Sequence, residues 1–166
     1  MVTVLVAAGK DGSDFTRELS CVLGRHFDED EFMLCDIESF KPTGSENIII
    51  VYKQPQPAAF QTDSANAVVA IVDSSDEQLL CHVSNTRLPA ITCGLKSRDT
   101  ITLSSMSGES AVIDLRRGIS CLDGSVAEPQ EIPLRHQNTA ENFLLMASAA
   151  ILILSGNTES LKAGYI

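Results

Sequence analysis

The sequence predicts an α/β protein: a mixed sheet between helices, parallel up to Gly94 and antiparallel beyond it. Three observations predict this. Through the first half, short apolar runs alternate with polar or helical stretches, the pattern of parallel strands joined by crossovers. After Gly94 apolar and polar residues alternate one for one, the mark of strands with a single buried face. Near the other end, Phe143 to Leu154 is almost wholly apolar and reads as a buried helix.

The first strand is Val2 to Ala8 (VTVLVAA), broken by Gly9-Lys10-Asp11-Gly12-Ser13. Asp14 to His26 then places Phe15, Leu19, Val22 and Leu23 on one helical stripe, with Ser13 or Asp14 suited to cap it. Strands follow at Phe32 to Ile37 and Asn47 to Lys53, the second so apolar that both faces must be covered and its place is central. Gln54 to Asn66 carries Pro55 and Pro57 and reads as a loop. Ala67 to Val72 is the next strand. Asp73-Ser74-Ser75-Asp76 ends it, and Ser74 or Ser75 is expected to cap a helix from Asp76 to about Asn85. A fifth strand spans Ala90 to Cys93.

Beyond Gly94, Thr100 to Ser105 and Ala111 to Leu115 read as a hairpin closed by Ser107-Gly108-Glu109-Ser110. Asp123-Gly124 turns between Ile119 to Leu122 and Val126 to Leu134, and Pro129 and Pro133 put the latter at a sheet edge. A long apolar helix is expected from near Thr139, capped by Asn138 or Thr139, to Ser155, with Gly156 as its terminator. It is apolar nearly all round. One side needs the sheet and the other a second cover, either the tail Leu161 to Ile166 or another subunit, so a homo-oligomer is expected.

Length and charge bound the function. One domain spanning 1–166 is expected, and 44% hydrophobic residues suffice for a core without disulfides or metal. With 12 Lys and Arg against 22 Asp and Glu, the net charge is −10, which argues against a nucleic-acid partner. The densest basic spots, Arg116-Arg117 and Arg87 to Arg98, read as solvated surface. Five cysteines (Cys21, Cys35, Cys81, Cys93, Cys121) contain no C-x-x-C pair and read mainly as small core residues in a reducing cytosol. Val2 to Ala8 lacks the basic leader of a signal peptide, and Phe143 to Leu154 is shorter than the roughly 20 residues a bilayer helix needs. No membrane partner is expected, and the location read is cytoplasmic.

The best candidate site is the turn Gly9, Lys10, Asp11, Gly12, Ser13, where glycines after a first strand let backbone N–H groups and a helix N-terminus meet an anion. A P-loop has a lysine directly after its second glycine, then Ser or Thr, whereas Gly12 is followed by Ser13-Asp14. The glycines also fail the dinucleotide fingerprint G-x-G-x-x-G. A plain tight turn is the leading reading. Asp36, Asp73, Asp76 and Cys93 fall at strand ends facing one edge, where open α/β sheets bind ligands, although Asp there commonly forms turns and caps. His26, His82 and His136 lack metal-ligand spacing. Cys81-His82 reads as a core cysteine beside a surface histidine, and no serine has a hydrolase setting.

The order of these features resembles the central nucleotide-binding domain of Mur ligases, in a shortened and degenerate form. VTVLVAAGKDGSDFTREL is similar to that family's first strand and phosphate loop, AVVAIVDSSDEQLL to its later strand and acidic turn, and PAITCGL to its short strand ending in glycine. DTITLSSMSGESAVIDL resembles its antiparallel stretch, and IPLRHQNTAENFLLMASAAILI its histidine before an alanine-rich helix. The resemblance implies a three-layer, Rossmann-like fold; a ligand retained from it would be ATP with Mg2+, with Gly9–Ser13 as the candidate anion loop and Asp73, Asp76 and His136 as further candidate binding residues. The departures fall on the catalytic equipment: Ser13 stands in place of the loop lysine, Asp14 in place of Thr or Ser, and Gln137 follows His136. The region of the Mg2+-binding acid and carbamylated lysine is much reduced, and the family's flanking domains are not expected in these 166 residues. The function read is therefore a non-catalytic cytoplasmic binding or interaction module, with no catalytic residue and no metal site assigned. The alternative is a nucleotide-binding enzyme or sensor.

Overall fold

A computed structural model describes residues 1–9, 12–28, 30–41, 47–55, 67–136, 140–163 and 166. The first half gives β1 (Val2–Ala7), α1 (Ser13–Leu23), β2 (Phe32–Asp36), β3 (Asn47–Tyr52), β4 (Ala67–Asp73), α2 (Glu77–Thr86) and β5 (Ala90–Cys93). The second half gives β6 (Ile101–Ser107), β7 (Ser110–Leu115), β8 (Ile119–Ser120), β9 (Val126–Ala127), β10 (Gln130–Arg135), α3 (Asn142–Leu154) and α4 (Thr158–Ala163).

Eight strands form one sheet in the order β10-β7-β6-β5-β4-β3-β1-β2, and β8 and β9 pair as a separate antiparallel ribbon. From β2 to β6 every pairing is parallel, while β7 is antiparallel to both β6 and β10. The antiparallel hairpin expected beyond Gly94 is present, but the boundary is corrected. β6 still runs parallel to β5, and the direction changes only at the turn through Gly108, because the loop from Gly94 to Thr100 brings the chain back beside Cys93 before β6 begins. β3 lies between β1 and β4, and Ile48 to Val51 are fully buried. Adjacent strand residues face opposite sides, so this run is covered from both. β10 occupies an edge, and Pro133 lacks only the outward N–H, which no neighbouring strand calls on there.

The two faces carry separate cores. On one, Val4, Val6, Ile49, Val51 and Ile71 meet Phe15, Leu19, Val22 and Leu23 of α1 and the whole of α3. On the other, Leu5, Ala7, Ile48, Ile50, Ala70 and Val72 meet Leu79 and Val83 of α2. The apolar stripe of α1 is the one its spacing predicts.

The expected long helix is shorter. α3 has 13 residues, and the chain turns at Gly156, whose φ of +78° suits a residue without a Cβ, before entering α4. Every residue from Phe143 to Leu154 is buried by the chain itself, with Leu161 and Ile166 joining the cluster around it. The tail and the α1 layer supply the second cover, so this helix needs no other subunit to bury it. Residues Asn138 and Thr139, expected to cap it, lie outside the described residues, and Glu141 holds the N-cap position.

Ser148 lies in the middle of α3 with its hydroxyl buried and without a hydrogen-bond partner among the described residues. Ser148→Ala is expected to gain about 1 kcal/mol by removing that unmet group. A rise in the urea midpoint at unchanged m-value is the reading that checks it.

Among the described residues no helix is long and apolar enough to cross a membrane.

Candidate functional site

The Gly9–Ser13 turn rests on a close backbone approach. A Cβ on Gly12 would lie 2.0 Å from the Ala8 Cβ and 2.6 Å from the Ala8 carbonyl oxygen, so no other residue fits there without displacement. Gly9 takes a φ of +63°. The Gly12 amide donates to the Gly9 carbonyl at 3.2 Å, and Thr16 directs both its amide and its hydroxyl to the Gly12 carbonyl at 3.0 and 3.1 Å. Gly12 is itself the N-cap of α1, without a side-chain cap, and exposed Ser13 is the first helical residue. The expectation that Ser13 or Asp14 caps this helix is corrected, because the packing against Ala8 admits only glycine at that position. Lys10 and Asp11 lie outside the described residues.

Among the described residues, the charges beside this turn are already engaged. Asp14, in the first turn of α1, pairs with Arg17 at 2.9 Å. Both side chains are largely exposed, which makes the pair worth under about 1 kcal/mol. Lys53, directly after β3, pairs with the Glu141 carboxylate. Its ammonium lies 5.2 and 5.3 Å from the ring centres of Phe15 and Phe143, which stack on each other at 5.7 Å. A phosphate at the turn would meet one amide already spent on Gly9 and two cations already neutralised.

From the turn an open groove of about 560 Å3 runs between α1 and β2. Ser13, Thr16, Arg17, Ser20 and Cys21 form the helix wall, Leu34 and Asp36 the strand wall, and Gly9 and Gly12 one end. The three- and four-residue spacing of the helix wall was visible in the sequence, but only as the side of α1 opposite its buried stripe.

The acids at the strand ends do turn and cap work. Asp36 Oδ1 accepts from the Glu38 amide at 2.9 Å, Asp73 Oδ1 from the Ser75 amide at 2.8 Å, and Asp76 Oδ1 from the Leu79 amide at 2.9 Å. Asp76 thus caps α2, where Ser74 or Ser75 was expected. It wins because its backbone is extended, with φ −96° and ψ 104°, as an N-cap requires. Asp36 and Asp73 are not brought together: β1 and β3 stand between their strands, a spacing of about 14 Å. His136 is buried just after β10, and five strands separate β10 from β1 in the sheet order.

A second polar cluster, which the sequence reading missed, closes the β5–β6 loop. The buried Asp99 carboxylate accepts from the Lys96 amide at 2.8 Å, and Lys96 Nζ donates to the Ser74 carbonyl at 2.7 Å. Gly94 lies against it, since a Cβ there would meet Ser74 Oγ at 2.1 Å. The Ser74 hydroxyl is walled off from solvent, which denies it the exposure a nucleophile needs.

The cysteines divide. Cys93 and Cys121 are buried as expected, whereas Cys21 and Cys81 are exposed, and all five are free thiols. His82, expected at the surface, packs its ring edge-on to Tyr52 at 5.6 Å, so the Cys81-His82 reading is reversed. It does so because position 82 points toward the sheet while position 81 points away. Burial, then the carboxylates of Asp73 and Asp99, push the Cys93 thiol far above its ordinary value.

The sign of that shift sets a pH dependence. Below about pH 9 the thiol is neutral in both states and contributes nothing; above it the unfolded thiol ionises first and stability falls. The slope reaches at most about 1.4 kcal/mol per pH unit. Tyr52, raised by burial, adds a loss of the same sign at higher pH. Cys93→Ala is expected to flatten the fall between about pH 9 and about pH 10, checked by urea midpoints across that range.

The sequence matches no protein-family model, and no curated protein matches it.

Proposed function

We propose that this chain is a non-catalytic binding or interaction module of the cytoplasm, built on a Rossmann-like, Mur-ligase-like scaffold. The observation that carries this reading is the engagement, among the described residues, of the groups a triphosphate reaction would use. Arg17 and Lys53 are paired with carboxylates, Asp36, Asp73 and Asp76 are held by backbone amides, and the Ser74 hydroxyl and Cys93 thiol are buried. The groove beside α1 remains open, and the charged side chains in its wall, Arg17 and Asp36, are held by Asp14 and by the Glu38 amide, which suits binding without chemistry. Free thiols on the surface and in the core suit a reducing compartment.

A second reading, a nucleotide bound at Gly9–Ser13, is favoured by the positive φ of Gly9 and by the opening of the groove directly at the start of α1. Thermal shift with ATP, GTP and NAD, each with and without Mg2+, separates the two. A ligand at about 100 times its Kd adds about 2.7 kcal/mol. For a chain of this size that is roughly 5 to 10 °C in Tm. No shift is expected with any of them, and a rise of that size with ATP and Mg2+ overturns the first reading in favour of the second.

A further inference from the structure

The two edges of the eight-stranded sheet are finished differently. At β10, Pro133 supplies no N–H, and the Arg135 carbonyl accepts from the Ile166 amide at 2.8 Å beside α4. That edge is closed by the chain itself. At β2 the odd-numbered peptide groups face β1: the Glu31 carbonyl accepts from Val2, and the Ile37 amide donates to Val6. The even-numbered ones therefore face outward. Ser39 takes the Asp36 carbonyl. The amides of Phe32, Leu34 and Asp36 and the carbonyls of Phe32 and Leu34 are left without a partner among the described residues.

Phe32-Met33-Leu34-Cys35 contains no charge and no proline, the devices that blunt an edge, and Met33 is 37% exposed. The flanks are another matter. Residues 28–38 hold six acids (Asp28, Glu29, Asp30, Glu31, Asp36, Glu38) and no Lys or Arg. A second copy pairing antiparallel about Leu34 would set Asp30 against Glu38 and bring both sets of acids together, which like-charge repulsion opposes. The same acids attract a strand with basic ends.

We propose that β2 receives an extended segment of a partner protein as a ninth strand, apolar at alternate positions and flanked by Lys or Arg. This rests on the binding-module reading and names its partner. The outward peptide groups supply main-chain hydrogen bonds, and alternate side chains of the guest enter the groove between Leu34 and the Ser20 and Cys21 wall, where they are selected.

The test is an NMR titration of the whole protein with the synthetic peptide Lys-Lys-Val-Thr-Val-Thr-Val-Lys-Lys and its counterpart with Glu at both ends. With the Lys peptide, solvent exchange at the Phe32, Leu34 and Asp36 amides is expected to slow about tenfold or more, while Met33 and Cys35, already bonded to β1, change little. The Glu peptide leaves all five unchanged. Asp28→Lys with Asp30→Lys, two exposed positions, weakens the Lys peptide about tenfold, roughly what reversing two rim charges is worth. Absence of alternate protection overturns the proposal, as does equal protection by both peptides or protection that rises with protein concentration alone. Shifts confined to Ser20 and Cys21 remove the ninth strand and leave a groove ligand; no shift anywhere removes both readings.

Discussion

Phe143→Ala is expected to cost about 4 kcal/mol, within the range for truncating a buried phenylalanine. The ring is 2% exposed and opens α3, where it joins three parts of the chain. It stacks on Phe15 of α1 with the planes 17° apart, and it lies under the Lys53 ammonium that Glu141 holds in place. Removal leaves a cavity between two helices at the point where β3 exits the sheet. For a chain of this length the loss corresponds to a fall of roughly 8 to 16 °C in Tm. A double-mutant cycle with Lys53→Met separates cavity from charge: a coupling of about 0.5 to 1 kcal/mol is expected from the ammonium over the ring. A Phe143→Ala loss below about 1 kcal/mol, the size of an ordinary surface change, would show that α3 does not pack on α1 as described.

Gly12→Ala is expected to lose about 3 kcal/mol, the upper end of what overpacking usually costs. The added methyl meets a Cβ at 2.0 Å and a backbone carbonyl at 2.6 Å, and neither can rotate away. Relief requires the start of α1 to lift from the end of β1, which also loosens Phe15. Gly108→Ala is the control. Gly108 has a φ of +56° with nothing within 4 Å of where an added methyl would sit, so its cost is the left-handed conformation alone, about 1 kcal/mol. Chemical denaturation of both variants decides the matter: costs equal to within about 0.5 kcal/mol would deny the close approach.

The strands were legible because their signal is local. Val2–Ala7 and Asn47–Tyr52 are apolar runs of strand length, and the alternation of Ala111, Ile113 and Leu115 names the buried face of β7 without outside information. Of their order in the sheet, the inner place of β3 and the edge place of β10 were legible, and the other edge was not. Phe32–Asp36 reads as apolar as its neighbours, and nothing within it says that it lies at an edge while β3 lies inside. Apolarity likewise announced that α3 is buried but left its second cover open between the tail and another subunit; the cover found is α1 together with the tail, whose short TESLKA helix carries too little periodicity to read. The site shows the same limit. That Gly12 itself caps α1 follows from a steric approach to Ala8, and the Lys53–Glu141 pair joins residues 88 positions apart. That acids at these strand ends form turns and caps was legible, since those hydrogen bonds close within two or three residues, but which residue caps α2 was not: Asp76 holds the place expected for Ser74 or Ser75.

The sheet's first five strands are complete by Cys93, yet the helix that seals one of their faces begins only at Asn142. During synthesis Val4, Val6, Ile49 and Val51 must therefore emerge from the ribosome well before their lid exists. A nascent chain in that state has only α1 over this face and leaves the rest of it uncovered for several seconds at ordinary elongation rates, roughly 5 to 20 residues per second. The order of segments along the chain thus leaves that face unfinished until the last helices have been made.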